Sequence, residues 1–275
     1  MYLNRPFSRS DPGFYQILTQ EIRRKLAARG IKTRFWSDER EEEEQGKLIT
    51  SLKRAMDKRE IQALIVPLTG PKDTGWLKKV PVASAVVSDH SSLSRRVSNN
   101  SSQTIYLGME EIRRQGCRKV AVITHLKVNV SDKNSAEYGF YGSLIDNMND
   151  MGFEIRNEWI RFMEEDKGID MAHYGYEQFK ILWNSPHRPE ALLVYPDGVS
   201  AGVVTAMLEQ HVRVPEELKV VFYENDLLPY VCPFKATFMR ASVGMFADSL
   251  IQMIDAQLAG KEVQPVQLPI SIIPA

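Results

Sequence analysis

The sequence predicts an α/β protein built on mostly parallel sheets with helices on both faces, and three observations carry that prediction. Short, continuously apolar runs such as Ala63-Leu64-Ile65-Val66, Val120-Ala121-Val122-Ile123 and Leu192-Leu193-Val194-Tyr195 read as buried strands. Segments with helical apolar spacing alternate with them, and repeated strand-helix units imply a parallel sheet. These units form two series separated by the polar stretch from Ser88 to Ser102, so two similar lobes are expected.

Taken in order, Tyr2-Leu3 reads as the tail of a strand. Phe14 to Ala28 carries Phe14, Ile17, Leu18, Ile22 and Leu26 at helical spacing and stops at Gly30. Lys32 to Trp36 is a short strand, after which Ser37 or Asp38 can cap a helix. The acidic run Glu39 to Glu44 fits that helix's first turns as a solvated face favoured by the helix dipole, and Leu48, Ile49, Leu52 and Met56 form its buried stripe. Strands are expected over Ala63–Pro67 and Val80–Val87. The second series begins with a helix from Thr104 to Gln115 ending at Gly116. It continues with a strand Val120–Thr124, a helix Ser135–Met151 ending at Gly152, a strand near Trp159–Met163 and a helix Asp170–Asn184. A strand ending in Tyr195-Pro196-Asp197 follows, then a helix from Val199 to His211 and a strand ending in Tyr223-Glu224-Asn225-Asp226. A final helix, Val243–Ala259, stops at Gly260, and Val266–Ile273 is the last strand.

Composition narrows the function class. Lys plus Arg and Asp plus Glu number 35 each, so no global charge drives the chain towards nucleic acid or an anionic membrane. The cysteines, Cys117 and Cys232, read as two buried thiols in a reducing compartment. No signal-peptide pattern and no apolar run of membrane-spanning length is visible, so a soluble, cytoplasmic protein without membrane partners is expected.

Signatures of catalysis are missing: no phosphate-binding Gly-Lys loop, no Gly-x-Gly-x-x-Gly, no Gly-x-Ser-x-Gly, no His-Glu-x-x-His. His90, His125, His173, His187 and His211 lack metal-ligand spacing, and neither a metal nor a cofactor is called for. What remains is the strand-helix-strand unit with carboxylates at both strand ends. Ligands of open α/β sheets bind beyond the carboxyl ends of the strands, which makes Asp197 and Glu224 candidate ligand contacts. Asp226 beside Glu224 could form an acid-base pair, but such acids are commoner as polar ligand contacts. Trp36, Trp159 and Trp183 read as core, and Trp76, in a loop rich in Gly, Pro and Asp, as the best candidate platform.

Several segments together resemble the effector-binding region of the lactose/galactose-repressor family of bacterial transcription regulators. Val214-Pro215-Glu216-Glu217-Leu218-Lys219-Val220-Val221-Phe222-Tyr223-Glu224-Asn225 is similar to that family's Val-Pro-x-Asp-x-x-Val-Val-Gly-Phe/Tyr-Asp-Asp/Asn, and Lys119–Thr124 after Gly116 also fits. Asp11-Pro12-Gly13-Phe14-Tyr15 resembles its Asn-Pro-Phe-Phe loop. Ala136-Glu137-Tyr138-Gly139-Phe140 resembles a helix start, and Ala236-Thr237-Phe238-Met239-Arg240 its Leu-Thr-Thr-Val-Arg/Lys crossover. The similarity is collinear over nearly the whole chain.

The resemblance implies a periplasmic-binding-protein-like fold of type I: two Rossmann-like lobes with parallel sheets and a cleft between them. The lobes would be 1–99 plus 240–262 and 100–239 plus 263–275. It implies a homodimer, with contacts sought on Leu48–Met56, Ala201–Met207 and Leu227–Tyr230. Binding to DNA would pass only through a helix-turn-helix domain upstream of Tyr2, absent from this chain. The departures matter too. Ala136, Pro196 and Glu224 stand where sugar-responsive members place Arg, Asn and Asp, while Asp197 keeps the strand-end acid. The fourth-strand Asp falls on Val86 or Asp89, and a usual Gly is His125. An unpaired buried polar group costs roughly 1–3 kcal/mol, so losing the Arg and Asn together predicts poor hexose binding. Phe14, Trp76, Tyr195, Tyr223 and Met239 then point to a flatter, more apolar small-molecule effector, or to a filled cleft that no longer binds. The expected function is the effector-binding and dimerisation module of a repressor-type regulator. A solute-binding protein of a transport system is the alternative, and a small-molecule enzyme using Asp197, Glu224 or Asp226 ranks last.

Overall fold

The computed structural model describes residues 1–3, 7, 13–40, 47–67, 75–89, 93–127, 136–163, 170–228 and 230–275, with the backbone alone for 126, 127, 136–141 and 163. It divides into two units, Met1–Asn100 with Ser242–Pro269, and Ser101–Ala241 with Ile270–Ala275.

In the first unit, β3 (Ala63–Val66), β4 (Ala83–Val87), β5 (Arg96–Ser98) and β11 (Val266–Gln267) form a parallel sheet in the order β11-β5-β4-β3. A separate parallel pair joins β1 (Tyr2–Leu3) to β2 (Trp36–Ser37). Side chains alternate along the strands as the pleat requires. Ile65, Ala85, Val87 and Val97 pack with α1 (Gly13–Ala28) and α7 (Val243–Leu258). Leu64, Val66 and Val86 face Leu52, Ala55 and Met56 of α2 (Thr50–Asp57).

The second unit holds a six-stranded sheet in the order β12-β10-β9-β8-β6-β7. Its strands are β6 (Val120–Lys127), β7 (Ile160–Met163), β8 (Ala191–Tyr195), β9 (Lys219–Asn225), β10 (Thr237–Ala241) and β12 (Ser271–Ile273), of which only β12 pairs antiparallel. Val122, Leu193, Val221 and Met239 pack with α3 (Ser101–Arg114) and α4 (Ala136–Asp150). Ile123, Leu192, Val194, Val220 and Phe222 pack with α5 (Met171–Trp183) and α6 (Asp197–Glu209). The apolar runs are thus strands covered on both faces, and the fold is the expected α/β architecture with parallel-dominated sheets.

Local punctuation agrees with chemistry. Gly30, Gly116, Gly152 and Gly260 all sit at φ between 71° and 81° past helix ends, where a Cβ is strained. Asp170 caps α5 by accepting from the Ala172 and His173 amides at 2.9 and 3.1 Å.

Three expectations change. The polar linker contains β5, whose Val97 is fully buried, because Ser88–Ser102 is polar on average while a few of its residues, Leu93 and Val97 among them, insert into a core. The final strand is two strands, β11 and β12, joined through Pro269 and belonging to different units. The second strand begins at Trp36 rather than Lys32, and α2 begins at Thr50 with Ile49 at its N-cap position, so neither Ser37 nor Asp38 caps it. Asp38 is instead buried, receiving Arg40 at 2.8 and 2.7 Å and the Tyr2 hydroxyl at 2.9 Å. Glu39 lies outside α2, and Glu41–Glu44 of the acidic run fall outside the described residues.

Within the second unit, α5 and α6 meet backbone to backbone. A Cβ built on Gly202 would lie 1.7 Å from the Ala172 carbonyl oxygen, and one on Gly175 would lie 2.2 Å from that of Val199. Backbone cannot yield as a side-chain tip can, so overpacking here is severe. Gly202→Ala is expected to destabilise the protein by at least about 2 kcal/mol in urea denaturation. Gly244→Ala in α7, where an added Cβ would meet Ser242 Oγ at an ordinary 3.6 Å, should be neutral or stabilise by up to about 1 kcal/mol.

Candidate functional site at the strand ends of the second unit

The parallel register brings the carboxyl ends of β8, β9 and β10 side by side. Inside the sheet these strands are apolar, and polar side chains appear where they emerge. β8 leaves through Tyr195 and Pro196 into α6, whose first residue is Asp197. Asp197 is 3% exposed, and its carboxylate is held by neighbours: the Gly198 amide donates to Oδ1 at 3.0 Å, and Asn225 Nδ2 donates to Oδ2 at 2.9 Å. Burial pushes its pKa up, against the opposing effect of the Asn225 and Gly198 hydrogen bonds. Asn225, 1% exposed, accepts the Tyr223 hydroxyl at 3.4 Å. The Tyr195 and Tyr223 rings meet edge to face at 4.8 Å, and the Tyr195 hydroxyl lies 3.1 Å from Ser101 Oγ at the start of α3. Ser200 Oγ ties α6 to the Pro196 and Tyr223 carbonyls at 3.2 and 3.3 Å.

Glu224 sits on the opposite side of β9 from Tyr223 and Asn225. Its register partner is Arg240 on β10, whose Nε donates to Glu224 Oε1 at 2.5 Å. Asp226 is exposed in the turn after β9, so the two acids do not share an environment.

The structure therefore joins Asp197, Tyr195 and Tyr223 into one cluster of the second unit, while Glu224 lies on the other face of β9 with Arg240. Met239 lies fully buried beneath it, where Gly108 of α3 approaches its sulfur. Phe14 and Trp76 belong to the first unit. Phe14 packs edge to face on Phe246 at 5.0 Å, and Trp76 on Tyr2 at 5.4 Å. The Trp76 indole nitrogen is buried without a hydrogen-bond partner among the described residues. Ala136 heads α4, but its side chain lies outside the described ones, as do Asp11 and Pro12. Trp36, Trp159 and Trp183 are buried as expected; Cys117 is buried and Cys232 only partly so. Among the described residues there is no group of three His, Cys, Asp or Glu fit for a metal, and no helix long and apolar enough to cross a membrane. Sequence reasoning missed Asn225, Ser101 and Arg240 as members of the cluster. Asn225 and Arg240 lay within the motifs that carried the resemblance, but their partners depend on register.

A raised carboxyl pKa in the folded state means that the fold holds its proton more tightly than the unfolded chain. The stability Asp197 contributes is then greatest at low pH and falls as pH rises from its ordinary value of 3.8 through the raised one. Asp197→Asn should remove that pH-dependent component, which is read as the difference between wild-type and variant urea midpoints across acidic to neutral pH. Asn225→Ala leaves the buried carboxylate short of a donor and should cost about 1–3 kcal/mol at neutral pH.

Comparison with known proteins places this geometry in a family. Residues 109–274 match the periplasmic binding protein-like domain. The HTH-type transcriptional repressor PurR of Actinobacillus pleuropneumoniae serotype 3 is 25% identical over 138 residues, covering 50% of this chain and 37% of that protein. PurR of Glaesserella parasuis is 28% identical over 120 residues, covering 44% and 32%. The matched part thus spans only about a third of these relatives' length. Among solved structures, the Escherichia coli transcriptional repressor ascG superposes with a TM-score of 0.73 at 16% identity, covering 99% of this chain and 95% of that one. A LacI regulator from Lactobacillus casei gives 0.70 at 20% identity with the same coverages. The chain belongs to the periplasmic binding protein-like domain family, as a counterpart of the effector-binding domain of lactose/galactose-repressor-type regulators.

Proposed function

We propose that this chain is the effector-binding and dimerisation module of a repressor-type transcription regulator, and that it binds without catalysing a reaction. The observation that carries this reading is the buried polar cluster at the strand ends of β8 and β9 in a chain of this family. Asp197, Tyr195, Tyr223 and Glu224 are its ligand-side residues in the second unit, with Phe14 and Trp76 contributing from the first and Met239 as apolar support. An effector that favours one arrangement of the two units over another shifts their population, and a homodimer passes the shift to DNA-binding helices outside these residues. The named relatives are transcriptional repressors or a LacI regulator, which favours regulation over transport. The neutral overall charge agrees with DNA being read by another domain.

Dimerisation has its own support. Leu208, Leu227 and Val231, on or next to the segments expected to pair, are exposed, Val231 at 88%. By contrast, α2 buries Leu52, Ala55 and Met56 in its own unit, so a contact there would use its other face.

Light scattering coupled to size exclusion should give a dimer that Val231→Asp converts to a monomer without loss of helical signal; a monomeric wild type would refute the dimer. Small-angle scattering and thermal shift test the sensing reading. A screened metabolite should raise the melting temperature and reduce the radius of gyration, while common hexoses do neither. A hexose shift abolished by Glu224→Ala would show that a simple sugar site persists.

A further inference from the structure

We propose that Arg240 is the contact that selects the effector, and that the effector carries an oxyanion, a carboxylate or a phosphate. Glu224 is the positioning residue that holds Arg240 in place. The proposal deepens the effector-binding reading and rests on it.

Register sets the arrangement. On β9 and β10, Phe222 stands opposite Phe238, and two residues further along the same face Glu224 stands opposite Arg240. The lower pair stacks at 6.1 Å, and the Tyr230 ring leans on both members at 6.1 and 6.5 Å. The ion pair therefore caps an apolar layer at the point where both strands end.

Within that pair the contact is one-sided. Among the described residues Arg240 donates through Nε alone, and neither Nη group has a partner there. The Glu224 side chain is 11% exposed and that of Arg240 is 43% exposed. A guanidinium pinned at Nε keeps its two outer nitrogens coplanar and directed away from the anchoring carboxylate. That is the fork which engages an oxyanion through two parallel hydrogen bonds. A half-exposed pair of this kind adds little to stability, so its strand-end position is better accounted for by recognition.

The surroundings favour an acceptor over a donor. Asp197 has both oxygens hydrogen-bonded inside the unit, and Glu224 Oε1 is taken by Arg240, so no fully free carboxylate is left to grip sugar hydroxyls in pairs. The Tyr230 hydroxyl is buried beside the same layer with no geometric hydrogen-bond partner among the described residues. Among the described residues the charged group paired with Arg240 is the Glu224 carboxylate.

The test is a binding titration of the full chain by calorimetry and thermal shift, with neutral compounds matched to anionic counterparts. Glucose is set against gluconate and glucose 6-phosphate, and adenosine against adenosine 5′-monophosphate, at constant ionic strength. At least one anion should bind while its neutral counterpart does not, and the gluconate and glucose 6-phosphate arms tell carboxylate from phosphate. Arg240→Gln should weaken that anion by at least about tenfold, and Arg240→Lys should restore only part, because an ammonium lacks the fork. Glu224→Gln should preserve or strengthen binding, since it removes the internal counter-charge but keeps an acceptor for Nε. The ratio of anion to neutral affinity is a readout that a purely structural arginine would leave unmoved. The proposal is overturned if Arg240→Gln, folded by circular dichroism, keeps the anion affinity, or if Glu224→Gln loses as much as Arg240→Gln. Binding of neutral compounds alone overturns it while leaving the effector-binding reading intact; no binding by any compound overturns both.

Discussion

The constraint on which the second unit depends is that β6, β8, β9 and β10 are covered by helices on both faces. Backbone hydrogen bonds are satisfied within the sheet, but no side chain in the strand interiors can reach water, so polar groups would be left unpaired there. Polarity is therefore pushed to the strand ends. That is why a run such as Leu192-Leu193-Val194 changes abruptly into Tyr195-Pro196-Asp197, and Val220-Val221-Phe222 into Tyr223-Glu224-Asn225. Parallel pairing places those transitions at the same end of the sheet, and a cluster of polar groups results without any further device.

The cluster is internally saturated to an unusual degree for a ligand site. Asp197 is anchored by Asn225 and by its own helix, and Asn225 by Tyr223; Tyr195 meets Ser101, and Glu224 meets Arg240. Buried networks of this kind rigidify the groups they contain, at the cost of leaving fewer open valences for a ligand. Of the residues here, Arg240 combines charge, partial exposure and uncommitted donors. The rigidity below it comes from the aromatic layer and from the tight α5–α6 packing that Gly175 and Gly202 permit.

Much of this was legible in the residues. Strands with both faces buried announce themselves as unbroken apolar runs, and helix ends as glycines that must take positive φ. What escaped reading has a common cause: local averages hide single residues that act at a distance. β5 hides inside a polar stretch because few of its residues, Val97 foremost, are apolar and buried. The final strand reads as one because Val266–Ile273 is mostly apolar, although Pro269 interrupts it between two sheets. Asp38 resembles a helix cap because caps are recognised by residue type, whereas its partner Tyr2, far off in sequence, is brought to it by the β1–β2 pairing.

The same division runs through the candidate site. By itself the sequence determined the architecture and the location of polarity at the ends of β8 and β9, because burial dictates residue type along a strand whatever the register. It also carried the family resemblance, which the match over residues 109–274 bears out. Only the tertiary structure decided which polar groups satisfy one another. Asp197 and Asn225 lie 28 positions apart, and Glu224 and Arg240 lie 16 apart. Hydrogen-bond pairing over such separations is set by strand register and helix placement, which no local pattern encodes. That pairing joins Glu224 to Arg240 at the strand ends, a contact set by the β9–β10 register.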